Sequence, residues 1–169
     1  MTMATTGSAK LTLPSDTEIL MTREFAAPAR LVWQAYTTPE LVAQWWGGKR
    51  GNVTICEIDL RVGGKWRYVM TAHGGFEVGF HGEYREIAEH ERLVYTEVFE
   101  GMPDGDSEPA LNLVTFHEAD GRTTLEMLTQ VSSKEIRDTI IDSGMEGGAQ
   151  EGLDLLEQIA LRLAVDGDV

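Results

Sequence analysis

The feature that most constrains this 169-residue chain is a long region in which apolar residues recur at every second position. It spans residues 52–131 and is interrupted by short polar or glycine-containing segments. A period of two is typical of strands with one buried face, so the region predicts an antiparallel meander of about six strands. Its apolar positions are Val53, Ile55 and Ile58, then Trp66, Tyr68 and Met70, then Val78, Phe80 and Tyr84, and then positions within 93–99, 111–116 and 125–131.

One hairpin predicts which side chains share a face of this sheet. If residues 73–75 form a three-residue loop, Ala72 pairs with Phe76 and the apolar side chains of both strands point the same way. A two-residue loop would instead mix them with Glu77 and Glu83. We therefore expect one face to carry Trp66, Tyr68, Met70, Val78, Phe80, Gly82 and Tyr84.

Two short helices are predicted before the meander, after a strand over residues 18–25. Pro28 precedes the first helical pattern, and Thr38 with Pro39 begins the second, which Gly47 and Gly48 end. Within the second helix Trp45 is in step with Leu41 and Val42, which predicts a core position. Trp46 points about 100° away, so we expect it at the rim of a cleft or against an adjoining subunit.

The end of the chain is predicted to be helical twice. Ser132 with Glu135, and Ser143 with Glu146, match the capping box that begins a helix. After Met145 an apolar stripe at a spacing of three to four continues to Leu163, which predicts a long helix with one buried face.

Three glycines in the first half of this long helix require an explanation. Gly147, Gly148 and Gly152 each cost about 1 kcal/mol relative to alanine. They either allow the helix backbone to approach the sheet closely or leave space for a cavity. The opposite face favours a cavity, since it mixes large apolar bodies with hydroxyl groups. The candidate pocket residues are Trp46, Trp66, Tyr68, Met70, Phe80, Tyr84, Tyr95, Glu97, Met127, Met145, Ala149 and Leu153.

Four ordered segments carry a resemblance to a known superfamily. They are REFAAPARLVWQAYTTPELVAQWWGG (23–48), DLRVGGKWRYVM (59–70), GEYREI with RLVYTE (82–87 and 92–97), and GMEGGAQEGLDLLEQIA (144–160). The chain resembles the SRPBCC superfamily, which shares the helix-grip fold of the birch pollen allergen Bet v 1, START domains and aromatase/cyclases. Within it, the chain is most similar to the group named for the C-terminal domain of the activator of the heat-shock-protein-90 ATPase.

This resemblance implies an α+β helix-grip fold. We expect a curved antiparallel sheet of about seven strands, two short helices and a long C-terminal helix. Because the group often has tryptophan or methionine where this chain has Ala149, the resemblance also implies an enlarged cavity.

Composition limits the partners and the setting. A net charge of −14 repels nucleic acid and anionic membranes, and no apolar run is long enough to span a bilayer. The single cysteine, Cys56, excludes an internal disulfide and is interpreted as a small buried strand residue, which favours a cytoplasmic setting. Residues 1–14 are interpreted as a flexible tail without signal-peptide character, followed by a single domain over 15–169.

Catalytic, metal and cofactor sites are not predicted. Glu97 shares a face with Tyr95, yet Val94, Thr96 and Val98 could equally form the inner set. The histidines His73, His81, His90 and His117 are interpreted as loop or surface residues, and no nucleophile or phosphate-loop motif occurs. The expected function is binding of a small apolar or aromatic molecule. A cyclase- or hydrolase-like enzyme and a co-chaperone-type ATPase activator are the alternatives, and homodimerisation is left open.

Overall fold

The computed structural model describes residues 9–47, 50–100 and 108–166, and these form an antiparallel sheet packed against helices. The strands are β1 (Lys10–Thr12), β2 (Glu18–Phe25), β3 (Gly51–Ile58), β4 (Lys65–Ala72), β5 (Glu77–Ala88), β6 (Arg92–Phe99), β7 (Ala110–Ala119) and β8 (Arg122–Gln130). The helices are α1 (Ala29–Thr37), α2 (Pro39–Trp45), α3 (Lys134–Asp142) and α4 (Met145–Asp166). The strand order is β1-β2-β8-β7-β6-β5-β4-β3. The predicted α+β helix-grip fold is confirmed.

The described residues contain eight strands where about seven were expected, and the additional strand corrects the predicted tail. Lys10–Thr12 pairs antiparallel with β2, so the boundary at residue 14 was placed too late. Ala9 is buried, and its backbone N–H and C=O bond to the side-chain amide of Gln150 on α4 at 2.7 and 2.8 Å. These contacts hold residues 9–12 in place. The sequence did not indicate this strand, because three residues are too few to show an alternating pattern. Residues 1–8 lie outside the described residues.

The predicted register of the β4–β5 hairpin is confirmed. The Ala72 N–H donates to the Phe76 carbonyl at 2.9 Å, and Tyr68 pairs with Phe80. The aromatic side chains of both strands therefore face the helices.

The predicted corner of two short helices is also confirmed. Thr38 precedes α2 and Pro39 is its first residue. Trp45 is buried as expected, and its indole Nε1 donates to the Ala35 carbonyl at 2.8 Å, which ties α2 to α1. Gly47 follows with φ of 83°, whereas Gly48 lies outside the described residues.

The predicted capping boxes are both displaced. The N-cap of α3 is Ser133, not Ser132, and its hydroxyl accepts from the Ile136 N–H at 3.2 Å. Ser143 closes α3 instead of beginning α4, because its hydroxyl donates to the Ile140 carbonyl at 2.5 Å. Gly144, with φ of 85°, then turns the chain into α4.

A buried charge network holds α4 against β2. The Arg23 side chain is 1% exposed, and its guanidinium contacts Asp154 at 2.6 Å and Glu157 at 3.1 Å. Glu157 also accepts from the Ala26 N–H at 2.9 Å, just before α1. The helix position is thus set by directional bonds as well as by its apolar stripe, which buries Leu153, Leu156, Ile159 and Ala160. None of the helices over the described ranges combines the length and apolar character needed to cross a bilayer.

Candidate ligand-binding site

A cavity of about 420 Å³ lies between α4 and the inner face of the sheet. This volume falls in the range of small-molecule pockets, roughly 300 to 1,000 Å³. All but one of the candidate pocket residues line it, and their contact with a ligand stays a prediction. These residues are Trp46, Trp66, Tyr68, Met70, Phe80, Tyr95, Glu97, Met127, Met145, Ala149 and Leu153.

The exception is Tyr84, whose prediction as a wall of this cavity was wrong. Tyr84 is buried and lines a separate void of about 10 Å³, together with Tyr36, Trp66, Tyr68, Leu93 and Tyr95. Its side chain is hydrogen-bonded to that of Tyr68, which itself lines both spaces. Tyr84 therefore supports a wall residue instead of forming the wall.

Two of the three α4 glycines, Gly148 and Gly152, border the cavity, whereas Gly147 packs against Arg50. A Cβ built at Gly147 would lie 2.8 Å from Arg50 Nη2, and one at Gly148 would lie 3.6 Å from Arg50 Cζ. Neither position has the sheet as its nearest neighbour. Gly144, Gly148 and Gly152 line the cavity, so dry packing of this helix segment on the sheet is excluded.

Arg50 is the main site residue that sequence reasoning missed. It precedes β3, and its guanidinium rests on the α4 glycines with Nε 3.6 Å from Glu151 Oε1. Its side chain is 47% exposed, which places it at the rim. No local pattern pointed to this contact, since Arg50 and Gly147 are far apart in sequence.

Aromatic rings form the wall of the cavity beneath α2. The Trp46 ring centroid lies 5.5 Å from Tyr68 and 5.8 Å from Phe80, in edge-to-face geometry. Trp46 itself lines the cavity, and its contact with a ligand or an adjoining subunit stays a prediction.

Trp66 is held in this wall by a hydrogen bond to β6 that passes over Gly82, where no side chain is in the way. Its Nε1 donates to the Thr96 carbonyl at 3.1 Å. A Cβ at Gly82 would lie 1.8 Å from that same carbonyl oxygen and 2.7 Å from the Trp66 nitrogen. Any side chain at position 82 would displace the indole, so this glycine is required by packing.

A polar network on the central strands presents a carboxyl group to the cavity. Glu97 Oε1 accepts from Asn112 Nδ2 at 3.0 Å, and Asn112 Oδ1 accepts from the Thr129 hydroxyl at 2.7 Å. All three residues line the cavity, which resolves the open question about β6 in favour of an inward Glu97. Burial raises the pKa of Glu97, and the hydrogen bond from Asn112 opposes part of that increase.

Asn112 and Thr129 also escaped sequence reasoning. They are the polar positions in inward-facing rows of β7 and β8, where Asn112 pairs with Thr129 and with Tyr95 across the strands. The available signal in the sequence was an asparagine between apolar residues of a predicted strand.

Tyrosine hydroxyls add further hydrogen-bonding groups. The Tyr36 and Tyr95 hydroxyls are 2.9 Å apart. Burial raises the pKa of Tyr36 to about 12, and it also raises the pKa values of Tyr68, Tyr84 and Tyr95. These groups are protonated at neutral pH, so they can donate as well as accept hydrogen bonds.

The cysteine of the chain lies on β3, beside the aromatic strands of the sheet. Cys56 is on a strand as predicted, but it is half-buried where a buried residue was expected, and burial raises the pKa of its thiol to about 11. The thiolate, which is the nucleophilic form, is therefore rare at neutral pH.

The histidines lie outside the cavity, as predicted. His81 Nδ1 lies 2.7 Å from Glu100 on the outer face, and His117 Nε2 lies 2.8 Å from Glu126. His73 is in the hairpin loop and His90 is in a turn. In the described part of the chain, no group of three potential metal ligands comes together.

Comparison with known proteins assigns the family. Residues 26–160 match the family model of the activator of Hsp90 ATPase homolog 1-like proteins. The chain belongs to this family. The predicted superfamily is thereby confirmed, and this fold is compatible with either a ligand-binding or a co-chaperone-like module. The comparison with curated protein sequences gives no match.

Solved structures support the same fold. Protein Ms6760 from Mycobacterium smegmatis is 27% identical, with a TM-score of 0.79 over 89% of this chain and 94% of that one. A Rhodobacter sphaeroides protein is 24% identical, with a TM-score of 0.82 over 92% and 99%. An AHSA1-like protein from Aeromonas hydrophila is 19% identical, with a TM-score of 0.63 over 87% and 95%.

Proposed function

We propose that this family member is a cytoplasmic binding protein for a small molecule with an apolar or aromatic body. The observation that carries the proposal is the cavity of about 420 Å³ between a glycine-bearing helix face and an aromatic sheet face. Such a pairing of apolar walls with a few polar groups is typical of small-molecule sites.

The wall chemistry supports an amphipathic ligand. Met70, Met127 and Met145 line the cavity and adapt to ligands of different shape. Trp46 and Phe80 provide flat surfaces, whereas the hydrogen-bonding groups gather around Glu97 and Asn112. A ligand with an apolar body and one polar end matches this distribution.

The first experiment identifies ligands and then blocks the cavity. Native mass spectrometry of the purified protein and a thermal-shift screen of aromatic and lipid-like compounds would supply binders. In Ala149→Trp, an indole fills part of the cavity, and we expect the affinity to fall at least about tenfold. Gln158→Trp is the matched control, because it puts the same side chain on an exposed position of α4. Unchanged affinity in Ala149→Trp, or no binder from the screen, would count against the proposal.

A further inference from the structure

The Glu97 carboxyl group is the feature of the cavity that most restricts the polar end of a ligand. Among the described residues, Asn112 is its only hydrogen-bond donor, and Glu97 forms no ion pair. Its accessible surface faces the cavity it lines. A carboxyl group held under α4 without a protein cation is costly as an anion, and an incoming positive charge would offset that cost.

The network behind Glu97 prepares it to act as an acceptor. Asn112 is 8% exposed and donates to Oε1, while Thr129 donates to the other end of the same amide. A donor fixed toward a carboxyl oxygen favours the charged form of that carboxyl. The opposite arrangement, in which a backbone or side-chain acceptor faces Glu97, would have favoured the neutral acid.

The surroundings of Glu97 also suit a cation better than an anion. Asn112 from β7 bonds to Glu97, and Tyr36 from α1 and Tyr95 from β6 interact with it electrostatically. The same cavity is also lined by Thr129 from β8 and by Met145, Ala149 and Leu153 from α4. None of these is positively charged. The aromatic rings of Tyr36, Tyr95 and Trp66 line the same cavity, and aromatic rings attract cations to their faces.

The distribution of charge over the whole chain favours the same sign of ligand. Among the residues that the structure describes, Glu97 and Arg50 are the charged ones that line the cavity, and Arg50 is at the rim beside Glu151. A net charge of −14 also attracts cations and repels anions at long range.

We propose that the ligand is an amphipathic amine, whose ammonium group is received by Glu97 while its apolar or aromatic body lies along the Trp46 and Phe80 wall. This inference rests on the proposed function, and it specifies the ligand class for the same cavity. Asn112 is then a positioning residue, since it acts on the ligand through Glu97.

Proton linkage gives the inference a distinctive signature. Burial raises the pKa of Glu97 in the free protein, and a bound ammonium group would lower it again. Binding therefore releases a proton wherever Glu97 is protonated before binding. Affinity for the amine should rise as pH increases through the raised pKa, and it should fall only when the amine itself loses its proton.

The test compares three compounds with the same aromatic body: phenylbutylamine, phenylbutanol and phenylbutyrate. Isothermal titration calorimetry of the full chain in buffers of different ionisation enthalpy measures affinity and proton release together. We expect the amine to bind at least about tenfold more tightly than the alcohol and the carboxylate to bind most weakly. In a series of measurements at decreasing pH, amine binding should release protons once Glu97 is protonated before binding.

Variants separate Glu97 from general electrostatics. Glu97→Gln keeps an acceptor for Asn112, so it should fold, and it should abolish both the preference for the amine and the proton release. Glu77→Gln removes an equal charge at an exposed site on β5, and it should change neither.

The outcomes distinguish the two proposals. Equal affinity for amine and alcohol, or tighter binding of the carboxylate, overturns the amine inference and leaves the cavity as a binding site. A preference for the amine that persists in Glu97→Gln also overturns it. Failure of all three compounds, together with a screen that yields no binder, overturns the proposed function as well. The proton-release measurement on the unmodified chain requires no variant to fold.

Discussion

The position of α4 over the cavity depends on Arg23 and Glu157, and this dependence predicts an unusual order of stabilities. Arg23→Met removes the guanidinium but leaves the Glu157 carboxylate buried, with the Ala26 N–H as a remaining partner. Removing one member of a buried ion pair typically costs about 3 to 5 kcal/mol. For a chain of this size, that corresponds to a decrease in melting temperature of roughly 6 to 20 °C.

The double variant Arg23→Met with Glu157→Gln should be more stable than Arg23→Met alone. Glutamine keeps an acceptor for the Ala26 N–H but carries no charge, so the buried anion disappears. Arg122→Met is the matched control. It breaks the exposed Arg122–Glu24 pair, whose atoms are 2.7 Å apart, and should cost less than about 1 kcal/mol.

Urea unfolding followed by tryptophan fluorescence gives the free energy of unfolding of the unmodified chain and the three variants. An unchanged slope against denaturant concentration checks that the same transition is measured in each. The reasoning is refuted if Arg23→Met costs no more than the Arg122→Met control. It is also refuted if the second substitution adds to the loss instead of recovering part of it.

Two further predictions concern glycines and tyrosines. Gly147→Ala should stabilise the chain by up to about 1 kcal/mol, because its new Cβ meets only the movable end of the Arg50 side chain. Gly51→Ala should destabilise the chain, because that Cβ would lie 2.3 Å from the Thr71 carbonyl oxygen. Thermal unfolding of both variants measures the contrast. All four tyrosines should ionise above the ordinary pKa of about 10. Because their folded-state pKa values are raised, the associated stability is complete below pH ~10 and is lost as pH rises toward the value of about 12 for Tyr36. Tyrosinate absorbance and circular dichroism should therefore change together, and full ionisation of a folded chain near pH 10 would contradict this.

The sheet and its inner face were predictable because both depend on local patterns. The alternation over residues 52–131 corresponds to six observed strands, β3 to β8. The glycine loop at 73–75 then determined the face of the neighbouring aromatic residues, since a slip by one residue would expose all of them. The different surroundings of Trp45 and Trp46 were predictable for a similar reason, because side chains at adjacent helix positions point about 100° apart.

The polar part of the site was not predictable in the same way. Glu97, Asn112 and Thr129 lie on three different strands, and their contact depends on the register of two strand pairs. Arg50 reaches α4 only through the packing of the whole domain. Tyr84 was misassigned because alternation identifies the inner face but cannot show which inner residues lie behind others. The predicted helix caps were wrong because single hydrogen bonds decide them: Ser133 caps α3 in place of Ser132, and Ser143 ends α3 instead of beginning α4.

The size of the cavity makes its polar groups energetically important. Dry, apolar walls around such a space would lose packing contacts, and that cost grows with the volume left unfilled. Glu97, Asn112, Thr129 and the tyrosine hydroxyls reduce that cost, since they offer hydrogen-bond partners to whatever fills the space. The helix glycines meanwhile keep the space open at their own cost in stability. If binding is what this arrangement serves, Ala149→Trp should raise the melting temperature of the free protein while it weakens ligand binding, because the indole replaces lost contacts. A variant that weakened binding and also destabilised the free protein would instead indicate a packed core at this position.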